Sequence, residues 1–150
     1  MAAYIVTGLQ GREHVTSEDE GAFNAGIVGT GRYVMKTAEQ FAAEIVSNNI
    51  VRIKSGDLVN QGRHIRTEVN DYDDMTIENG TQSLKRNDLI VMRYKKDTST
   101  NIELESAELV VIKGTAGATA TDPTYTSGDI LAGATQDDFP LYRVSLNGLN

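Results

Sequence analysis

The stretch Arg86–Gly114, RNDLIVMRYKKDTSTNIELESAELVVIKG, decides the fold class of this chain. Two runs rich in β-branched and aliphatic residues, Leu89–Tyr94 and Ala107–Ile112, flank a polar segment. Within that segment, Asp97–Asn101 has the composition of a turn. The pattern therefore predicts a β-hairpin. Neither predicted strand carries a motif of reaction chemistry, so the hairpin indicates a structural or recognition module rather than an enzyme.

Short apolar runs separated by turn residues continue on both sides of this hairpin. Turns or loops are predicted at Ser55–Asp57, at the acidic Asn70–Asp74 and across the Ala/Thr/Gly-rich Gly114–Gly133. About eight short strands spaced by turns every 8–12 residues or so are typical of a single all-β sandwich or barrel. Further strands are predicted at Ala3–Thr7, Tyr33–Met35, Ile50–Ile53, Leu58–Asn60, Arg63–Glu68, Met75–Ile77 and Asp138–Leu146.

The first third of the chain is harder to interpret. Ser17 and Glu20 have the spacing of a helix capping box, but the glycines that follow weaken a helix, so Ala22–Gly31 is predicted to be a turn-rich loop with at most one helical turn. Thr37–Val46 fits both a helical stripe and a strand face. We favour a strand from Phe41 to Val46 and keep a short helix as the alternative. The domain prediction is an irregular N-terminal arm over residues 1–35, followed by a β domain over residues 36–150.

The composition excludes several classes of function. The 150 residues carry a formal charge of −7, which argues against binding to nucleic-acid backbones and to anionic membrane surfaces. There is no cysteine, so neither disulfides nor thiolate metal sites can form. The N-terminal residues lack the basic and apolar regions of a signal peptide, and we expect synthesis in the bacterial cytoplasm.

Several groups of residues could carry chemistry, but each has a simpler interpretation. His14 and His64 lack metal-binding spacing and are more simply hydrogen-bonded histidines. The carboxylates of Asp71, Asp73 and Asp74 lack the spacing of a calcium loop. A hydrolase would need a cleft in which two carboxylates converge, and the acidic run Glu18, Asp19 and Glu20 is no evidence of one. The glycine-rich Gly26–Gly31 lacks the Lys-Ser/Thr ending of a P-loop. We predict no catalytic residue, metal ligand or cofactor.

Tyrosines and basic residues are the remaining candidates for binding. Sugar sites use exposed aromatic faces, and the only candidates at loops or strand ends are Tyr72, Tyr125 and Tyr142. The basic residues are expected to form cross-strand pairs with Glu68, Asp88 and Glu103, each worth less than about 1 kcal/mol when exposed. These basic residues are Arg63, Arg66, Arg86, Arg93, Lys95 and Lys96.

The order of motifs along the chain resembles a family of structural proteins of phage and prophage tails or baseplates in Gram-positive bacteria. The resemblance covers nearly the whole chain and also extends to the amino-terminal domains of tail appendage proteins. Its motifs are HVTSEDEGAFNAGIVGTGRYVM (14–35), EIVSNNIVRI (44–53), GDLVNQGR (56–63), TIENGTQ (76–82), KRNDLIVMRY (85–94), LVVIKGT (109–115), SGDILAG (127–133) and DFPLYRVSLNGL (138–149).

This resemblance implies a virion component that associates with itself, commonly as a homotrimer or around a tail axis, and with other tail or baseplate proteins. It implies no catalytic residue. We therefore expect a non-enzymatic structural protein of a phage tail, located in the virion after assembly. The alternative is a receptor- or carbohydrate-binding module that recognises a glycan on the host surface.

Overall fold

Two antiparallel sheets, packed face to face, form the body of the computed structural model, which describes residues 5–6 and 15–150. The residues described form a sandwich, not a closed barrel. The elements are α1 (Ser17–Val28), β1 (Arg32–Val34), β2 (Ala43–Ser47), β3 (Ile50–Asn60), β4 (Arg63–Thr76), β5 (Lys85–Asp97), β6 (Leu104–Ile112), a short 3-10 helix (Ile130–Ala132) and β7 (Gln136–Asn147).

The first sheet, called sheet A, is built around β3. Along one side β3 pairs with β4 over nearly its whole length, from Ile50 opposite Thr76 to Asn60 opposite Arg63. Along its other side, β2 pairs with the first part of β3 and β1 pairs with the last part. Two short strands therefore share one edge of this sheet.

The second sheet, called sheet B, has β5 at its centre, with β6 and β7 on either side. The β5–β6 pairing runs from Leu89 opposite Ile112 to Asp97 opposite Leu104. This confirms the hairpin predicted from the sequence. The last predicted strand is also confirmed, because β7 spans it and pairs along the length of β5.

The hydrophobic core lies between the two central strands. Ile53 and Leu58 of β3 are fully buried, and they pack in one cluster with Ile90 and Met92 of β5. Phe41 completes this cluster from the turn before β2, where its backbone takes a left-handed φ of 55°. Side chains at alternate positions of both sheets thus close a single core, as expected for a sandwich.

The predicted turn at Ser55–Asp57 is wrong, because β3 continues through it. The strand pairing shifts register between Lys54 and Gly56, which marks a β-bulge. A Cβ on Gly56 would lie 2.6 Å from the Phe41 backbone nitrogen. Glycine is therefore needed at the bulge because Phe41 packs directly on it, and the turn-like composition reflects this close approach.

The predicted acidic loop at Asn70–Asp74 is also wrong, because β4 runs through it as far as Thr76. Asn70 adopts a left-handed φ of 68° within the bulge, where residues 68–71 of β4 lie opposite Ser55 of β3, and Asp74 accepts two hydrogen bonds from Arg52 on β3. Since both apparent breaks lie inside long strands, the described residues contain seven strands where about eight short ones were predicted.

The predicted loop at Ala22–Gly31 is largely helix α1. The helix begins after Thr16, which forms the capping box with Asp19, one residue before the box indicated by the sequence. Gly21 packs on Arg63, and Asn24 donates a hydrogen bond of 3.0 Å to the Gly62 carbonyl. Docking on β4 thus offsets the helix-weakening effect of glycine.

The remaining predictions for the N-terminal third, which concern two strands and an irregular arm, are confirmed only in part. The favoured strand in Thr37–Val46 is confirmed from Ala43 onward, but residues 38–41 form turns. Of the predicted arm over residues 1–35, the described part includes α1 and β1, and β1 belongs to sheet A. The predicted strand at Ala3–Thr7 lies mostly outside the described residues, and the boundary at residue 35 stays a prediction.

Two isoleucines test the position of the core. Ile90→Ala removes a fully buried side chain and should lower the free energy of unfolding by roughly 2–5 kcal/mol. Ile45→Ala, at a residue that is 81% exposed, should change it by less than about 1 kcal/mol. Urea denaturation of dilute protein measures both values. Equal losses for the two variants would contradict the described core.

Candidate assembly surface

The edge of sheet A formed by β1 and β2 carries several large apolar side chains that are exposed. We call this edge, residues 32–35 and 43–47, the free edge, because within the described parts of the chain no strand pairs with its outer side. Sheet edges present unpaired backbone groups and are common sites of association. Its exposed large apolar side chains are Tyr33, Val34, Met35, Ile45 and Val46.

The backbone of β2 is oriented for pairing on its outer side. The amide of Lys54 donates to the Ala42 carbonyl at 2.9 Å, so Ala42 and, two residues on, Glu44 direct their backbone groups toward β3. Ala43 and Ile45 then direct their N–H and C=O groups away from β3. The free edge therefore offers hydrogen-bonding groups on alternate residues of β2.

The side chain of Ile45 lies on the inner face of sheet A without cover. It stands directly opposite Val51, which packs against the core, so both side chains are on the core face. Yet Ile45 is 81% exposed, because sheet B does not reach over it. Burying such a side chain contributes roughly 1.5–3 kcal/mol, which is available to an association that covers it.

β2 is short and its pairing shifts register between Ile45 and Ser47, but other usual protections of an edge strand are missing from it. Edges that must stay single carry lysine, proline or inward-pointing charges. The sequence of β2, AEIVS, contains neither lysine nor proline. Its one charge, Glu44, lies 3.5 Å from Lys54 of the neighbouring strand and is therefore largely compensated.

A second exposed apolar surface lies on α1. Gly21 and Ala25 are the buried residues of the helix, whereas Phe23 and Ile27 are 69% and 67% exposed. The helix thus turns its small residues toward the body and its large apolar residues outward. This is the reverse of an ordinary surface helix.

The fully buried carboxylate of Asp137 joins the two sheets. Its oxygens accept hydrogen bonds from Arg32 at 2.5 and 3.0 Å, from the Asn60 amide at 2.7 Å and from the Gly128 backbone at 2.8 Å. Burial alone would raise the pKa of Asp137. The hydrogen bonds, chiefly from Arg32, outweigh burial and hold the pKa of Asp137 below its usual range. This carboxylate is an ionised structural anchor and is poorly suited to proton transfer.

The next residue, Asp138, anchors the outer side of sheet B. Arg93, directly opposite on β5, donates to both of its oxygens at 2.8 and 3.1 Å. The Thr126 backbone N–H donates to it at 3.2 Å, which holds the long loop before β7 against the strand. The tandem aspartates therefore fix the loop and both sheets around one end of β7.

A third cluster surrounds Glu105 beside a surface cavity of about 380 Å³. Its carboxylate accepts hydrogen bonds from Ser17, from Tyr94 at 2.5 Å and from Arg63 at 3.1 Å. Burial raises and these donors lower the pKa of Glu105, and the net shift is downward. Burial and the carboxylate raise the pKa of Tyr94, so its phenol stays protonated. The cluster ties α1 to β4, β5 and β6.

The three tyrosines proposed as ligand contacts lie on different elements. Tyr142 packs against the core and donates to the Phe41 carbonyl at 2.8 Å. Tyr72, on β4, is 48% exposed, but the Arg52 guanidinium lies 3.8 Å from its ring centre and occupies one face. Tyr125 is 43% exposed in the loop before β7. The structure does not bring them together into one aromatic platform.

The predicted metal candidates are also separated. His14 lies outside the described residues. His64 lies 2.6 Å from the Asp57 carboxylate, which also accepts a hydrogen bond from Thr37. Over residues 5–6 and 15–150, no three His, Asp or Glu side chains form a group that could hold a metal ion. In the same part of the chain, no helix is long and apolar enough to cross a membrane.

The predicted charge pairs are only partly as expected. Arg86 and Asp88 do pair, at 2.8 Å, but they lie two residues apart on one strand and both are buried. Arg86 also donates to two backbone carbonyls before β5, and Asp88 accepts from the Gly114 amide. Lys96 lies 3.8 Å from Glu103 across the hairpin, as predicted. The buried pair is therefore a structural element and not a surface contact.

Neither the edge position of β2 nor the buried aspartates could be predicted from the sequence, because both depend on contacts between distant strands. Nothing local marks β2 as an edge strand, because that depends on which strands pair. The DD dipeptide at 137–138 was visible, but its partners Arg32 and Arg93 come from distant strands. An Asp-Asp pair at the start of an otherwise apolar strand is the one signal that could have indicated buried anchors.

Comparisons with known proteins give no independent assignment. No protein-family model, curated protein or solved structure matches this chain.

The Asp137 anchor predicts how stability depends on pH. Its pKa is lower in the folded chain than the value of about 3.9 expected when unfolded, so the unfolded state binds more protons at acid pH. The stabilisation is complete above about pH 5 and should be lost as the pH falls through the folded pKa. Asp137→Asn should cost roughly 3–5 kcal/mol at pH 7 and flatten this acid dependence. Urea denaturation between pH 3 and 7 measures it, and an unchanged profile would contradict the anchor.

Proposed function

We propose that this chain is a non-enzymatic structural component of a phage tail or baseplate that associates with copies of itself inside a larger virion assembly. The observation that carries the proposal is the free edge, where unpaired backbone groups and the uncovered Ile45 side chain lie together. An isolated protein gains nothing from such an edge, whereas an assembly covers it. The family resemblance supplies the kind of assembly.

The buried polar groups support a structural role. Asp88, Asp137 and Asp138 are each surrounded by donors from the protein itself. Catalytic acids and bases instead need accessible groups with pKa values near the working pH. Here the carboxylates hold strands and loops in place, which suits a protein whose shape is its function.

The proposal includes partners and location. Copies of the chain, in a homotrimer or another homo-oligomer, associate with other tail or baseplate proteins after synthesis in the bacterial cytoplasm. The acidic surface suits neither nucleic acid nor an anionic membrane as partner. Mass spectrometry of purified phage particles released by the source bacterium tests the location, and absence of the chain from all of them would contradict it.

Self-association is directly measurable. The monomer has a mass of 16.3 kDa, and we expect sedimentation and light scattering to show a mass that rises with protein concentration in the micromolar range and above. Because each copy carries negative charge, association should strengthen as salt screens the repulsion. A single monomeric species at every concentration and salt would contradict the proposal.

The glycan-binding alternative rests on Tyr125, because, of the three tyrosines predicted as ligand contacts, Tyr142 packs against the core and Tyr72 has one face covered by Arg52. If this alternative holds, a glycan array should give a signal that Tyr125→Ala reduces at least about tenfold, since aromatic stacking contributes about 1–3 kcal/mol. Tyr142→Phe, which keeps the buried ring, is the control. A silent array would remove this alternative and leave the structural role in place.

A further inference from the structure

We propose that β2 pairs antiparallel with β2 of a second copy, about a two-fold axis at Ile45, so that sheet A continues from one copy into the next. This inference rests on the proposed self-associating function and names the contact. It follows from the direction of the backbone groups, the choice of register and the position of one apolar side chain.

The hydrogen-bonding pattern limits the possible pairings. Because Ala43 and Ile45 direct their backbone groups outward, a two-fold antiparallel contact can be centred on either of them or on Glu44 between them. A contact centred on Ala43 would need residue 41 to pair with residue 45 of the copy. Phe41 has a left-handed φ of 55° and its amide already donates to Ser55, so this register is excluded.

Charge decides between the two remaining registers. Centring on Glu44 would place two carboxylates directly opposite each other on the same face, which is destabilising. Centring on Ile45 instead places Glu44 opposite Val46 of the copy, and the β-bulge between Ile45 and Ser47 limits the contact to the pairs next to Ile45. Each Glu44 then keeps its ion pair with Lys54 at 3.5 Å, and no like charges face each other across the contact.

The same register covers the uncovered side chain. The two Ile45 residues become a hydrogen-bonded pair and exchange their outward N–H and C=O groups. Their side chains meet on the core face of the continued sheet, where each is 81% exposed in the single chain. The Ile45-centred pairing thus forms the missing backbone hydrogen bonds and covers the Ile45 side chain at the same time. For this reason we favour a second copy as the partner of β2.

The contact is small and fits an assembly better than an isolated dimer. Five residues from each copy fall well short of the roughly 20–30 residues a side of a standard stable interface. Pairing through β2 alone is therefore weak, and it becomes strong only where other contacts of the tail raise the local concentration of copies. A test must detect a weak contact.

Cysteine substitution provides such a test because the chain has no cysteine of its own. In the proposed register the two residues at position 45 have Cα atoms about 5.5 Å apart, within disulfide range. Ile45→Cys should therefore form covalent dimers under mild oxidation about tenfold faster than a random collision would, because the facing thiols have a high effective concentration. Non-reducing electrophoresis with time gives the rate.

Two control variants define the contact. Leu104→Cys places a thiol at a similarly exposed apolar position, 60% exposed, on the edge strand β6 of sheet B and should cross-link only at the background rate. Glu44→Cys reports the register, because its two copies would be more than about 7 Å apart, too far for a disulfide. Faster cross-linking through Glu44→Cys than through Ile45→Cys would overturn the proposed register.

A proline variant tests the contact without oxidation. Ile45→Pro removes an amide that points away from β3, so the β2–β3 hydrogen bonds remain and circular dichroism should be unchanged. Its tendency to self-associate in light scattering should fall about tenfold or more relative to wild type. If wild type associates while Ile45→Pro associates equally, β2 pairing is wrong and the structural function stands. If wild type never associates, the proposed function itself fails.

Discussion

The packing of β3 against β5 is the constraint on which the rest of the structure depends. Ile53 and Leu58 on one strand and Ile90 and Met92 on the other form the apolar centre, and each other strand of the described residues is a neighbour of one of these two. β5 has a long partner on both sides, whereas β3 has a long partner on one side only. The unequal partnering leaves the free edge with its uncovered isoleucine.

Buried ion pairs fix the relative position of the two sheets, which apolar packing alone does not specify. Asp137 joins β7 to β1 and β3 through Arg32 and Asn60, so it holds the two sheets in register. Such networks stabilise little compared with apolar packing, but they are costly to break when one member is removed. Their partners lie on β1, β3 and β5, so they tie β7 into both sheets.

The sequence predicted the local parts of this fold better than the relations between them. The hairpin of β5 and β6 was predictable because alternating β-branched residues and turn chemistry are both local signals. Helix α1 was not, because composition alone marks Gly26, Gly29 and Gly31 as helix-weakening, whereas the helix ends at Gly29 and docks on β4 through contacts between distant residues such as Gly21 and Arg63. Asn70–Asp74 was misassigned because acidic residues are rare in strands, while the compensating Arg52 lies on another strand.

The candidate assembly surface was likewise predictable in its local features but not in the relations between strands. That Ile45 is apolar is visible in the sequence, but its exposure depends on the pairing of β2 and on the reach of sheet B. The absence of lysine and proline from AEIVS became informative only once that segment was known to be an edge strand. The tyrosines were predicted as ligand contacts because aromatic faces bind sugars. In the structure, however, Tyr142 packs against the core and Tyr72 is partly covered by Arg52.

Hydrogen exchange measured as a function of protein concentration tests the central claim most directly. The amides of Ala43 and Ile45 point outward in the single chain, so they should exchange quickly in dilute protein. At high concentration the Ile45 amide should become protected, because it pairs with Ile45 of the copy, while the amides of Glu44 and of the core strand β5 stay protected throughout. Unchanged rapid exchange at residue 45, in samples that light scattering shows to be associated, would contradict the account.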